Sequence, residues 1–317
     1  MTAKFFLLPA DTKLWNESAF VDFLLANRGQ PIELDTIFEG PCLTACGVYQ
    51  LLDQFGCTDV TIVTSNPLEV HSQYRIKYTT LFSFFKTTPT NYSACHYWNQ
   101  SRVFGCFYNR PLWHRIGLAA KLQHDHQQVS LVNVRCNPAD IDQRMLFELQ
   151  ELFVNSPDSL KQFATVYPTW PYQLEESDGY TIHNNTTGHT DQLVGFYPNF
   201  LIDIVGETFI AGRTFFITEK TVRPMLMKKP MIVMGPENCL LYLRQMGFKT
   251  FHDFWDEDYD GYQGKERYVR ILALIDELAK KTKEELQDLY QRMQPLLDYN
   301  YQLLQSNNYC KQLEYIE

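Results

Sequence analysis

Phe200-Leu201-Ile202-Asp203-Ile204-Val205, then Glu207-Thr208, Ile217-Thr218-Glu219-Lys220-Thr221 and finally Met231-Ile232-Val233-Met234-Gly235, form the stretch on which the reading of this chain turns. Two short apolar runs bracket a polar segment holding acids, bases and hydroxyls. In an open α/β sheet, ligands sit outside the carboxyl ends of the strands, where helix N-termini supply unpaired N–H donors. Thr218-Glu219-Lys220, ahead of the helix-like residues 222–228, fits that position. A carboxylate there can accept hydrogen bonds from ribose hydroxyls, and an ammonium can sit beside a diphosphate. The same residues also read as a capped helix start, with Thr218 as N-cap and Glu219 favourable to the macrodipole. Both readings stand at this point.

Working outward, short apolar runs alternate with segments of helical period through most of the sequence, the pattern of an α/β protein with parallel strands. Strands are expected at 5–8, 60–63, 74–78, 81–85, 103–108, 130–134, 200–205, 231–234 and 248–251, and helices at 17–26, 41–55, 112–122, 139–153 and 236–246, the last closed by Gly247. In the tail, Ile271, Leu274, Ile275 and Leu278, and again Leu286, Leu289, Tyr290 and Met293, recur at helical spacing. Pro295 is expected to break or bend the second of these helices. The polar connection at 92–101 is the expected domain junction.

Composition narrows the class. The chain has 317 residues, 45% hydrophobic and 21% charged, enough for one large or two medium domains with real cores, which excludes disorder as the main state. Its formal charge of −9 is the reverse of a non-specific nucleic-acid footprint. Residues 251–317 hold 14 acids and 8 bases, so the tail alone carries −6 of that charge. The aromatic content, 15%, is assigned to core and cleft wall. No run of about 18 apolar residues could span a bilayer, and the apolar run within 1–8 is too short for a secretory signal, so the chain is expected in the cytoplasm. The 8 cysteines include no C-x-x-C pair and are read as reduced thiols.

Glu207-Thr208, Ile217-Thr218-Glu219-Lys220 and Lys229-Pro230-Met231-Ile232-Val233-Met234-Gly235 resemble the donor-binding motif of the α-1,3-fucosyltransferase family. With Arg244-Gln245-Met246-Gly247-Phe248-Lys249-Thr250-Phe251 following, the stretch also resembles glycosyltransferase-like proteins of tailed phages and marine bacteria. The resemblance is strong over 200–251 and weaker over 103–122. It implies an α/β fold of GT-B-like architecture, two Rossmann-like domains facing across a cleft, with an acceptor-side domain over 1–100, a donor domain over 101–263 and an amphipathic helical tail over 264–317. It also implies a nucleoside diphosphate sugar as co-substrate and no other cofactor. By this comparison Arg115, in Asn109-Arg110-Pro111-Leu112-Trp113-His114-Arg115, contacts the diphosphate, as does Lys220, while Glu219 holds the ribose. Thr208 replaces the family's Asn, and one extra residue precedes Thr218, which weakens the correspondence at Glu207 and Arg213.

The chemistry is compatible with that assignment. Cleaving a sugar–diphosphate bond develops negative charge on the leaving group, which cations or helix N-termini can stabilise. Arg115, Lys220 and Arg213 are the candidate cations. Asp140 and Asp142, and Asp256 and Asp258, match the two-acid pattern of metal-dependent transferases, yet the first pair reads as a helix start and the second as a solvated acidic loop. His124-Asp125-His126 reads as a helix end, so no metal is expected. Inverting transfer needs a general base from the N-terminal domain. Glu39, in the turn Phe38-Glu39-Gly40-Pro41, is the first candidate, followed by Asp35 and Glu69. The expected acceptor is a glycan, a small molecule or, as in phage DNA modification, a hydroxylated base. A non-catalytic module retaining the nucleotide pocket is the alternative from a different class.

Overall fold

The computed structural model describes residues 2–7, 17–37, 40–79, 92–108, 112–134, 193–216 and 218–306. Within them the chain is a mixed α/β protein with two parallel four-stranded sheets. The first sheet contains β1 (Ala3–Phe6), β2 (Ile32–Thr36), β3 (Val60–Thr64) and β4 (Arg75–Tyr78) side by side in chain order, with α1 (Glu17–Ala26) and α2 (Val48–Gln54) supplying the crossovers. In β2 and β3 alternate residues are buried. Their buried Ile32, Leu34, Val60 and Ile62 form one core with Phe20 and Leu24 of α1 and Val48 and Leu52 of α2.

The second sheet contains β5 (Phe104–Tyr108), β6 (Ser130–Val134), β7 (Ile202–Gly206) and β8 (Met231–Met234) in the order β6-β5-β7-β8. Every residue of β5, β7 and β8 is buried, as expected of strands covered on both faces. The covering elements are α3 (Trp113–Asp125), α4 (Glu219–Leu226), α5 (Cys239–Gln245), α6 (Gly264–Ala279) and α7 (Lys283–Ser306), whose apolar residues join a second, larger core. The first strand of this sheet, β5, lies between the second and third, so the strand order reverses between β5 and β7. A crevice at the carboxyl ends of the strands is the geometric result of such a reversal.

Several boundaries depart from sequence expectation. The helix expected over 41–55 begins only at Val48, because Gly47 sits at φ 72 and the preceding residues form a turn. The helix expected from Pro236 begins at Cys239, after Asn238 at φ 62, and ends through Phe248 N to Leu243 O and Gly247 N to Arg244 O. Residues 248–251 are not a strand. Their backbone is held by the buried Asn300 of α7, which accepts from Lys249 N at 2.8 Å and donates to Lys249 O at 2.7 Å. Helix α7 runs unbroken through Pro295, an exposed position whose lost backbone bond faces water while Met293, Leu296 and Leu297 stay buried. The helix expected at 139–153 and the strand at 81–85 lie outside the described residues. No helix among the described residues is long and apolar enough to cross a membrane.

Buried charge stitches this half together. Lys229, just before β8, donates from Nζ to Tyr97 O at 2.8 Å and Phe200 O at 2.9 Å, tying the connection between the sheets to the second core. Burial pushes this ammonium down to about 7, against a smaller opposing pull from Cys95 and Asp203. Between about 7 and the ordinary 10.5 the unfolded chain therefore holds more protons than the folded one, and Lys229's contribution makes stability rise with pH across that window. Lys229→Met should flatten that rise. Urea denaturation at about pH 6.5 and about pH 9 checks it; equal slopes for variant and wild type would show that the ammonium is not held in this way.

Candidate functional site

The strand reversal between β5 and β7 is flanked by the segments that leave the carboxyl ends of these two strands. After β5 comes α3, whose first turn contains His114 and Arg115, carries no acidic residue and has no side-chain cap from Leu112. After β7 comes Glu207, then a loop to Thr218, the N-cap of α4. Glu207 is 1% exposed, and both its carboxylate oxygens are used. Oε1 accepts from Thr218 N at 3.2 Å and from Thr221 Oγ1, and Oε2 accepts from Thr218 Oγ1 at 2.6 Å. Thr218 Oγ1 in turn accepts from Lys220 N at 3.2 Å. A buried carboxylate thus closes the loop at its base and orients the start of α4, where the macrodipole also favours it.

Arg115 lies across the end of β7. Its Nε donates to Gly206 O at 2.9 Å, and its guanidinium carbon stands 6.0 Å from the centre of the Tyr108 ring. Gly206 permits this approach, since a Cβ there would meet Arg115 Cγ at 2.9 Å and the Tyr108 ring at 3.0 Å. His114 Nε2 lies 2.9 Å from Glu207 O. Burial pushes His114 well below its ordinary range, and the Arg115 and Lys220 charges push it further, outweighing the Glu207 carbonyl. The imidazole is therefore neutral, and because Nε2 faces a carbonyl oxygen it carries the proton. Nδ1 is left as a buried acceptor with no hydrogen-bond partner.

Lys220 and Glu219 stand at the start of α4 as a partly buried pair, with Nζ 2.7 Å from Glu219 Oε1 and 3.3 Å from Thr218 Oγ1. Burial alone would raise the Glu219 carboxyl, but Lys220 and Arg223 outweigh it and hold the group at about 2. It is an acceptor-only carboxylate at any physiological pH. Arg223 belongs to a deeper chain, donating from Nε to Tyr197 Oη at 2.7 Å, while that hydroxyl donates to Asp203 Oδ2 at 2.5 Å. Burial pushes Asp203 up to about 6 against the pull of Arg223.

The sequence candidates therefore divide. Arg115, Glu207, Thr218, Glu219 and Lys220 come together around the end of β7. Arg213 is exposed in the loop, and its carbonyl accepts from Asn66 Nδ2 of the first half at 3.0 Å. On the first sheet, Asp35 at the end of β2 accepts from Ile37 N at 3.1 Å, forming a local turn. Glu69 is buried, accepting from Tyr49 Oη at 2.7 Å and Leu43 N at 3.1 Å. Glu39 lies outside the described residues. Sequence reasoning passes over His114, Gly206, Thr221 and Asn66. His114 carries a signal, being next to Arg115; Asn66 reads only as a strand stop before Pro67.

The acidic motifs are locally employed. Asp256 Oδ1 accepts from Asp258 N at 2.9 Å and Asp258 pairs with Arg270, whereas Asp140 and Asp142 lie outside the described residues. Asp125, His126 and Asp276 gather near one another, with the Lys121 ammonium 2.6 Å from Asp125 and 2.8 Å from Asp276. An ammonium already stands between the two carboxylates there. At the β8 edge, Asp260 accepts from Leu240 N and Leu241 N, both at 2.9 Å, and pairs with the fully buried Arg267 at 3.1 Å. The chain fills the start of α5 with its own carboxylate.

No family model matches the chain, and no curated protein or solved structure matches it either. Its residues alone define the site. Glu207→Gln should cost about 1–3 kcal/mol of stability by urea denaturation, because an amide cannot accept at both ends of the buried loop closure. Lys220→Ala should cost no more than about 1 kcal/mol, since its pair is partly solvated. A Glu207→Gln protein as stable as wild type would contradict the structural role given to this carboxylate.

Proposed function

We propose that this protein is a glycosyltransferase that moves a sugar from a nucleoside diphosphate sugar to an acceptor hydroxyl, with inversion and without a metal, in a GT-B-like arrangement whose donor side is the second sheet. One observation carries the reading. Two cationic side chains, Arg115 and Lys220, border the first turns of the helices that come after β5 and β7, where the strand order reverses. Helix N-termini and fixed cations at such a crevice are suited to a diphosphate. The resemblance of 200–251 to fucosyltransferase donor motifs points the same way.

In this reading Arg115 and Lys220 take the charge that grows on the leaving diphosphate as its bond to the anomeric carbon breaks. Lys220 is held by Glu219 and Thr218, whereas Arg115 is 1% exposed against Gly206 O, so its guanidinium must shift outward to meet the diphosphate. Glu219, ionised throughout the working range, accepts from the ribose hydroxyls. Glu207 touches no substrate and holds the start of α4 in position. The acceptor oxygen attacks the anomeric carbon as its proton passes to a carboxylate of the first half. Glu39 is the first candidate base, ahead of Asp35 and Glu69, both of which accept internal hydrogen bonds. The residue after Glu39, Gly40, is bonded through its carbonyl to Thr214 of the β7–α4 loop, which brings Gly40 against the donor side.

A panel of nucleoside diphosphates and their sugars tests the proposal. A cognate diphosphate at about 100 times its Kd should stabilise the fold by about 2.7 kcal/mol. Lys220→Ala should lower sugar-nucleotide turnover by about 10²-fold or more while keeping the fold. Stabilisation without turnover of any donor would favour the non-catalytic nucleotide-binding module. No stabilisation by any nucleotide would remove the donor site altogether.

A further inference from the structure

The loop from Glu207 to Thr218 is closed at its base by the Glu207 carboxylate, but its far side is held by the other half of the molecule. Asn66, just after β3 and 1% exposed, donates from Nδ2 to Arg213 O at 3.0 Å and accepts at Oδ1 from Phe215 N at 3.0 Å. One carboxamide thus engages the backbone on both sides of Thr214, as a neighbouring strand would. Thr214 is itself 1% exposed, and its hydroxyl donates to Gly40 O at 2.7 Å. The turn at Gly212 lies so close to the first half that a Cβ there would stand 3.1 Å from Cys42 Cβ. The same carboxamide is braced from behind, since Oδ1 also accepts from Leu68 N at 3.2 Å and Nδ2 lies 3.5 Å from Glu69 Oε2.

We propose that Asn66 is a positioning residue for the donor site, acting from the first sheet through the backbone of residues 213–215 on the loop that sets Thr218, Glu219 and Lys220. The inference rests on the donor-site reading of Lys220 and Glu219, although the clasp itself does not. Three hydrogen bonds, two of them buried, pin the far side of a loop whose other end is the N-cap of α4. Their loss frees the segment that leads into Thr218, so Lys220 Nζ is no longer held in one place. The acceptor side and the donor side are therefore mechanically joined, because the turn at Gly40 and the start of α4 are tied to the two ends of one short segment.

Asn66→Ala removes both backbone contacts, and Thr214→Val removes only the bond to Gly40 while keeping the side-chain shape. Amide exchange followed by NMR should show lost protection at Phe215 and Thr218 in Asn66→Ala, with the amides of β2 and β3 unchanged. In binding titrations with GDP and UDP, Asn66→Ala should weaken whichever binds wild type by about tenfold. Asn66→Ala and Lys220→Ala together should weaken it by less than the product of the two single effects, because one acts through the other. Full protection at Thr218 in Asn66→Ala, or additive effects of the two substitutions, would overturn the proposal. Should Asn66→Ala not fold, the same exchange and binding comparison decides on Asn66→Ser, whose hydroxyl can still accept from Leu68 N but is too short to reach both Arg213 O and Phe215 N. Should wild type bind neither these nor any other nucleoside diphosphate, the donor-site reading fails, and exchange at Thr218 alone decides whether the clasp positions the loop.

Discussion

Glu207 stands at the carboxyl end of β7, 1% exposed, with both carboxylate oxygens accepting from the first residues of α4. A carboxyl group so deeply placed needs several donors and a helix N-terminus beside it, and the chain provides both. The remaining geometry depends on this anchor. Thr218 is fixed as N-cap, so Lys220 and Glu219 leave the helix on one side of the crevice. The Glu207 carbonyl fixes His114, which sits next to Arg115 on the other side. Without the carboxylate, the two halves of the cationic edge would have no common reference.

Elsewhere the chain gives its buried charges internal partners. Arg267 is matched by Asp260, Arg223 reaches Asp203 through Tyr197, and Lys229 is held by two carbonyls. Asp260 already occupies the start of α5, while the first turn of α3 carries no acid. The overall charge of −9 is thus no argument against an anionic ligand at the crevice, because 6 of those negative charges belong to residues 251–317.

The parallel α/β class is legible in the sequence because buried parallel strands are written as short runs rich in Ile, Val and Met, as in 202–206 and 231–234. The cap at Thr218 is legible because a hydroxyl followed by Glu is a local signal. Two things are not. Strand β2 escapes notice because Ile32-Glu33-Leu34-Asp35-Thr36 alternates apolar and acidic residues, a half-buried pattern weaker than that of the second sheet. The clasp at Asn66 joins residues 147 positions apart, and no local pattern announces a side chain that reads a distant backbone. Glu207 reads in the sequence as a ligand contact, and in the structure its carboxylate accepts three hydrogen bonds inside the protein; sequence supplies the residue type, and only packing reveals how much of its capacity is engaged. Pro295 shows the converse, since burial on either side carries a helix through a residue that disfavours it.

The central claim is that a diphosphate lies at the reversal point between β5 and β7. A crystal structure of the protein soaked with a panel of nucleoside diphosphates tests it most directly. The account predicts density for the diphosphate between Arg115 and Lys220, with the ribose hydroxyls against Glu219. A nucleotide bound elsewhere in the molecule, with that crevice empty, would contradict it.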